Sequence, residues 1–113
     1  MKKIFNIAKN MFSKIKYLFN KRKYLYLGEN CDIHKSVEIK YPKFIKIGKD
    51  VIIKKGVVIQ SKTGVDIKDG VGLSHNVVIY GKVKIGNNTI IGPGSSIMGG
   101  NHKFSNTKIP IKN

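Results

Sequence analysis

Isoleucine or leucine recurs at intervals of six residues between Leu27 and Ile97, and this spacing constrains the fold more than any other feature of the chain. The interval widens to eight residues after Ile39 and after Ile59. A period of six matches neither an α-helix nor a hairpin meander, but it suits short strands joined by tight turns. The aliphatic positions form four groups of three: Leu27, Ile33 and Ile39; Ile47, Ile53 and Ile59; Ile67, Leu73 and Ile79; Ile85, Ile91 and Ile97.

A smaller residue follows most of these aliphatic residues four positions later. In a repeat of short strands and turns, both sets are expected to point into the interior. The smaller residues are Cys31, Val37, Val51, Val57, Thr63, Val71, Val77, Val83, Thr89 and Ser95.

The residues between successive strands favour type II turns. Such a turn needs a positive φ at its second central residue, which glycine, asparagine and aspartate tolerate best. With the aliphatic residue counted as first in its hexad, these residue types occupy the fourth position of seven hexads. The third and fourth positions there are Glu29-Asn30, Lys49-Asp50, Lys55-Gly56, Asp69-Gly70, His75-Asn76, Asn87-Asn88 and Pro93-Gly94.

Three strands and three turns close a triangular coil of eighteen residues. The chain is therefore predicted to be all-β, a parallel β-helix of about four triangular coils preceded by a basic amphipathic helix. Coils that pair as parallel strands stack at about 4.8 Å, so four coils are on the order of 20 Å tall. Each interval of eight falls at the end of a coil, where a corner can absorb two extra residues.

Charge and cysteine content limit the function classes. The 113 residues include 22 basic and 6 acidic side chains, a formal net charge of +16, yet Arg22 is the only arginine. Guanidinium groups are the preferred readers of guanine and phosphate, and no aromatic stacking motif is present, so a lysine-rich solvated surface is favoured over nucleic-acid binding. The single Cys31 is interpreted as a packing residue in a reducing compartment.

Residues 1–23 contain eight basic side chains, no acidic one, and apolar residues at helical spacing. This pattern predicts an amphipathic helix, for which two interpretations remain open. The favoured one is a cap that packs its apolar stripe over the first coil, because the ends of a solenoid need covering. The other is contact with an anionic membrane surface.

Lysines also bear on where the protein is expected to be found. Lys9, Lys14 and Lys16 interrupt every apolar run near the amino terminus, which argues against a secretion signal and a membrane-spanning helix. We therefore expect a cytoplasmic protein, peripheral on the inner face of the membrane if the second interpretation holds. The six-residue pattern covers residues 24–101, and residues 102–113 read as a loop.

The repeats lead into the run Ile97, Met98, Gly99, Gly100, Asn101, His102, Lys103 and Phe104, followed by Ile109, Pro110 and Ile111. Over about three quarters of the chain, this sequence resembles the hexapeptide-repeat acyltransferases of the sugar and cell-surface polysaccharide O-acetyltransferase type. The resemblance implies left-handed coils and a homotrimer. It also implies acetyl-CoA as donor and a hydroxyl of a sugar or surface-polysaccharide precursor as acceptor.

In that family a histidine at the end of the repeats is the general base, and its match here is His102. Imidazole titrates near neutral pH, where it can take the proton of a hydroxyl that attacks a thioester. Asn101 is a candidate to orient His102 or the acceptor. Ser74 stands where galactoside-type members have an asparagine that contacts the acceptor, so its hydroxyl either binds the sugar or merely flanks a turn. No residue is assigned to acetyl-CoA.

Full members of that family continue past the loop with coils that build much of the acetyl-CoA groove. Residues 1–113 are therefore expected to be a fragment of the full enzyme, truncated at the C-terminus. The alternative function is a non-catalytic β-helix scaffold or oligomerisation module. A metal-dependent hydratase fits poorly, because His34, His75 and His102 occupy different positions in their hexads and would not converge on one zinc ion.

Overall fold

A computed structural model describes residue 11 and residues 14–100, and within them the chain is a parallel β-solenoid of four coils. Residues 14–21 are helical, and a short 3-10 helix spans Pro42–Phe44. The strands are β1 Tyr26–Leu27, β2 Asp32–Ile33, β3 Glu38–Lys40, β4 Ile45–Ile47, β5 Ile52–Ile53, β6 Val58–Gln60, β7 Val65–Ile67, β8 Gly72–Leu73, β9 Val78–Gly81, β10 Val83–Ile85, β11 Ile90–Ile91 and β12 Ser96–Gly99.

Each coil contributes one strand to each of three parallel sheets. In spatial order, sheet A is β1-β4-β7-β10, sheet B is β2-β5-β8-β11 and sheet C is β3-β6-β9-β12. Equivalent positions pair from coil to coil, so Ile47 lies beside Ile67 and Ile67 beside Ile85. The predicted all-β parallel solenoid is confirmed. We name its three edges, where the chain turns between sheets, the A–B, B–C and C–A corners.

The interior of the solenoid is a stack of aliphatic side chains. Ile47, Ile53, Ile59 and Val51 are at most 1% exposed, and the same positions of the third coil are equally buried. Burial of such side chains contributes about 1.5–3 kcal/mol each relative to exposure in water. The predicted aliphatic ladder is therefore the core, and the first and fourth coils pack partly buried Ile33, Ile39, Ile91 and Ile97 against it.

The predicted turns have the backbone conformation that their residues favour. In all seven hexads the fourth residue has a positive φ, between 57° and 80°. At the A–B corner, the backbone N–H of Asp50 donates to the Glu29 carbonyl one coil earlier, and Gly70 donates in the same way to Lys49. These turns are thus hydrogen-bonded to the equivalent turns of the preceding coil.

The two eight-residue intervals lie at the C–A corner, as predicted. One contains the 3-10 helix, and the other is a loop closed by Ser61, whose buried Oγ accepts hydrogen bonds from the N–H groups of Thr63 and Gly64. The prediction that Thr63 points inward is wrong, because Thr63 is exposed and Val65 takes the interior position. The reason is register, since Val65 pairs with both Ile45 and Val83.

Replacing a central side chain should destabilise the stack far more than replacing a surface isoleucine. We expect Ile79→Ala to lower the free energy of unfolding by about 2–5 kcal/mol, because it leaves a cavity in the fully buried ladder. Ile90→Ala removes the same atoms from a side chain that is 76% exposed. This substitution should change the free energy of unfolding by less than about 0.5 kcal/mol. Urea unfolding followed by circular dichroism measures both, and equal losses would contradict the assigned core.

Candidate active site

The fourth coil ends at the C–A corner, two residues before His102. Strand β12 finishes at Gly99, which pairs with Gly81 of β9, and Gly100 is the last residue that the structure describes. Asn101 and His102 lie outside the described residues. In the sequence, they directly follow the residues that end at the C–A corner.

Close backbone packing explains the glycines that precede His102. A Cβ atom on Gly99 would collide with the carbonyl oxygen of Lys82, and one on Gly81 would collide with the carbonyl oxygen of Gly99. Gly81 and Gly100 also have positive φ values of 86° and 91°. Gly81 faces both demands, Gly99 the close approach and Gly100 the positive φ, so glycine at these positions sets the path by which the chain leaves the solenoid.

A groove on the outer face of sheet A adjoins this corner, and we call it the corner groove. It has a volume of about 340 Å³. Leu25 and Phe44 give it apolar surface, and Lys46, Lys82 and Lys84 supply three ammonium groups. Sequence reasoning missed this cluster, because its members come from different coils and meet only once the register of sheet A is known.

The corner groove has a net positive charge, with Asp66 in register between Lys46 and Lys84 on sheet A. Asp66 also lines it, but its carboxylate forms an ion pair of 3.0 Å with Lys68. In residues 14–100 no carboxylate lies within 4.0 Å of the Lys46, Lys82 or Lys84 ammonium groups. Three ammonium groups and one carboxylate beside apolar surface favour an anionic ligand with an organic portion.

Acidic side chains gather at a different edge of the solenoid. Glu29, Asp50 and Asp69 follow one another up the A–B corner. Asp50 accepts a hydrogen bond from the Asn30 amide, and Asp69 accepts one from the backbone N–H of Lys49. These carboxylates therefore stabilise stacked turns. The A–B corner also carries Lys49 and Lys68, whereas in residues 14–100 the C–A and B–C corners carry lysines without carboxylates: Lys43, Lys62 and Lys82 at the former and Lys35, Lys54 and Lys55 at the latter.

Ser74 is not at the corner that leads to His102. It follows β8 at the B–C corner, is half-buried, and donates its backbone N–H to the carbonyl of Ile91 at 3.0 Å. Within one chain, the order of the sheets thus separates Ser74 from the C–A corner. Asn76 nearby has the left-handed conformation predicted for its turn, with φ 61°.

The other histidines occur on the B–C corner and have no shared ligand geometry. His34 contacts Ser36, with 2.8 Å between Nδ1 and Oγ. His75 is exposed two coils away, and its carbonyl accepts a hydrogen bond from Gly94. In the part of the chain that the structure describes, no group of three or more His, Cys, Asp or Glu side chains is arranged to hold a metal ion.

Comparison with known proteins identifies the repeat. Residues 64–99 match the family model described as bacterial transferase hexapeptide (six repeats). This segment spans β7 to β12, the third and fourth coils and the corner that precedes His102. No curated protein and no solved structure gives a significant match. The family match and the parallel solenoid together indicate an acyltransferase-type scaffold.

Cys31 lies in the first coil, where its Sγ is 3.0 Å from the carbonyl oxygen of Gly48. Burial raises the pKa of its thiol, and the carboxylates of Asp50 and Asp69 add to the increase, although a backbone hydrogen bond from Val51 opposes it. Burial also raises the pKa of Tyr24, with a smaller contribution from Cys31. Cys31 is therefore a packing residue with little thiolate at neutral pH, as predicted from its position.

The rate of alkylation of Cys31 should show that its thiol is partly buried and protonated. Because the raised pKa keeps the thiol protonated, we expect iodoacetamide to modify Cys31 more slowly at about pH 8 in the folded chain than in the same chain unfolded by urea. The folded rate should climb only at higher pH, since its thiolate forms there. Mass spectrometry measures both rates, and equal folded and unfolded rates would show that the thiol is not buried.

Proposed function

We propose that this protein is an acetyl-CoA-dependent O-acetyltransferase that acts on a hydroxyl of a sugar or a surface-polysaccharide precursor. The observation that carries the proposal is the hexapeptide-transferase match over residues 64–99, which ends three residues before His102. The corner groove, with three lysines beside apolar surface, adjoins the corner at which that segment ends. Acetyl-CoA and nucleotide-linked sugars are cytoplasmic metabolites, so we propose the same compartment for the enzyme.

His102 acts as general base in this proposal. Its neutral imidazole removes the proton of the acceptor hydroxyl as the oxygen attacks the thioester carbonyl carbon. The tetrahedral intermediate collapses with cleavage of the carbon–sulfur bond, and the imidazolium returns its proton to the leaving thiolate of CoA. Atoms and charge balance without a covalent enzyme intermediate. Asn101, the preceding residue, orients His102 or the acceptor through its amide.

The corner groove is our candidate for the donor. CoA carries phosphates and an extended organic arm, which match the three ammonium groups of Lys46, Lys82 and Lys84 and the apolar surface of Leu25 and Phe44. No metal is required for this binding mode. The groove is open to solvent, so each charge contact contributes modestly and depends on salt.

We also propose a homotrimer, because Ser74 and the C–A corner are on different edges of one chain. A second copy packed against the C–A corner would bring its own Ser74 near the acceptor. The outer face of sheet C has an apolar surface suited to association, formed by Val58, Val78, Tyr80 and Met98 in neighbouring coils. Tyr80 and Met98 are 42% and 69% exposed in the single chain.

That same surface supports the second candidate function, a non-catalytic scaffold or oligomerisation module. A scaffold needs the apolar face of sheet C but neither His102 nor the lysines of the corner groove. Binding of acetyl-CoA therefore separates the two functions.

His102→Ala should reduce acetyl transfer by about 10²–10⁴-fold, because the attacking hydroxyl loses its proton acceptor. Release of CoA thiol in the presence of sugar acceptors measures the rate. The matched control is His75→Ala, which removes an exposed imidazole at the B–C corner and should leave the rate unchanged. An unaltered rate in His102→Ala, with the far-ultraviolet spectrum of the parent chain, would reject His102 as the base.

Acetyl-CoA binding should depend on the corner groove. We expect the double substitution Lys82→Gln and Lys84→Gln to weaken binding roughly tenfold at low salt, because two charge contacts are lost. Lys54→Gln with Lys55→Gln removes the same charge from the B–C corner and should have little effect. Isothermal titration calorimetry measures all three proteins. Equal affinities would place the donor elsewhere, and no binding by the parent chain would favour the scaffold.

A further inference from the structure

The helical residues 14–21 touch the solenoid with one side only. The Tyr17 hydroxyl donates a hydrogen bond of 3.1 Å to the carbonyl of Leu27 in β1, and its ring packs partly buried against the core. Asn20, one turn away on the same side, is also half-buried. Tyr17 therefore attaches the helix to the first coil through both its hydroxyl and its ring.

Met11 and the apolar residues Ile15, Leu18 and Phe19 of the helical segment are exposed rather than packed on the solenoid. Met11, Ile15, Leu18 and Phe19 are 59%, 60%, 58% and 67% exposed. In the helical residues 14–21, Ile15, Leu18 and Phe19 lie on one side, and Tyr17 falls on the opposite side. Met11, before this run, is exposed as they are. We call these four residues the outer stripe. The cap interpretation of residues 1–23 stays a prediction: Tyr17 packs against the first coil, whereas the outer stripe is exposed.

Basic side chains border the outer stripe. Lys14, Lys16 and Lys21 are exposed within the helical segment, and Arg22 and Lys23 follow it directly. No acidic residue occurs before Glu29. The combination of four exposed apolar side chains with a continuous basic border is typical of a helix that lies in a lipid headgroup region.

We propose that the outer stripe docks the protein on an anionic lipid surface. The helix lies parallel to the surface, its apolar side chains enter the boundary between headgroups and acyl chains, and the lysines contact anionic headgroups. Within residue 11 and residues 14–100, no helix has the length and hydropathy needed to cross a membrane.

Charge favours lipid over a second copy of this chain as the occupant. Two outer stripes packed together would bring their basic borders into contact, and like charges repel. The A–B corner, with Glu29, Asp50 and Asp69, is an alternative surface with carboxylates for a basic helix. Its Asp50 and Asp69 carboxylates already accept hydrogen bonds within the solenoid, so they are less available to a neighbour.

Sedimentation with vesicles tests the proposal on the full chain. We expect binding to vesicles of equal parts phosphatidylcholine and phosphatidylglycerol at low salt, and weak binding to phosphatidylcholine alone. High salt should reduce binding, because it screens the lysines. Leu18→Gln combined with Phe19→Gln should lower the partition coefficient by at least about tenfold, since two apolar side chains are lost from the interface.

The matched control is Ile52→Gln combined with Ile90→Gln, which removes two exposed apolar side chains from sheet B and should leave vesicle binding unchanged. Circular dichroism confirms that each variant retains the fold. The proposal is overturned if the parent chain fails to sediment with anionic vesicles, or if the Leu18 and Phe19 variant binds as tightly as the parent. Analytical ultracentrifugation without vesicles provides a second test. The proposal is also overturned if the Leu18 and Phe19 substitutions dissociate an oligomer but leave vesicle binding unchanged.

Discussion

In-register parallel pairing is the constraint on which the whole structure depends. Each aliphatic position lies directly beside its equivalent in the next coil, as in the column Ile47, Ile67 and Ile85. The register buries one column of side chains per face and simultaneously stacks the turns, so their backbone groups hydrogen-bond from coil to coil. Core, corners and surface grooves all follow from that single alignment, because a residue's position in its coil fixes the face on which it lies.

Much of this could be predicted from the sequence, since a strict repeat converts position in the chain into position in space. The strands, the parallel sheets and seven left-handed turn residues were all predicted correctly. The errors fall where the repeat is interrupted. Two extra residues near Thr63 can be accommodated in more than one way, and pairing of Val65 with Ile45 and Val83 decides between them. The helix illustrates another limit, because amphipathicity defines a stripe but Tyr17 determines which side meets the solenoid.

The candidate site was less predictable, because its residues lie beyond the repeat or meet only through the stacking of coils. His102 and Asn101 come from a motif and lie outside the described residues, so their roles stay predictions. Ser74 could be assigned to a coil from sequence, but its separation from the C–A corner depends on the order of sheets. The lysines of the corner groove are distant in sequence from Leu25 and Phe44, and no local motif marks them.

The unequal distribution of charge among the corners has a further consequence. At the A–B corner three carboxylates outnumber Lys49 and Lys68, whereas in the described part of the chain the C–A and B–C corners carry only lysines among their charged residues. This arrangement gives the solenoid a transverse electric dipole in addition to its net charge. In the electric field of a polyanion, the molecule experiences a torque that turns its lysine-rich edges toward the polyanion. Diffusional encounters are therefore biased in orientation before any contact forms, and the bias shrinks as the Debye length falls.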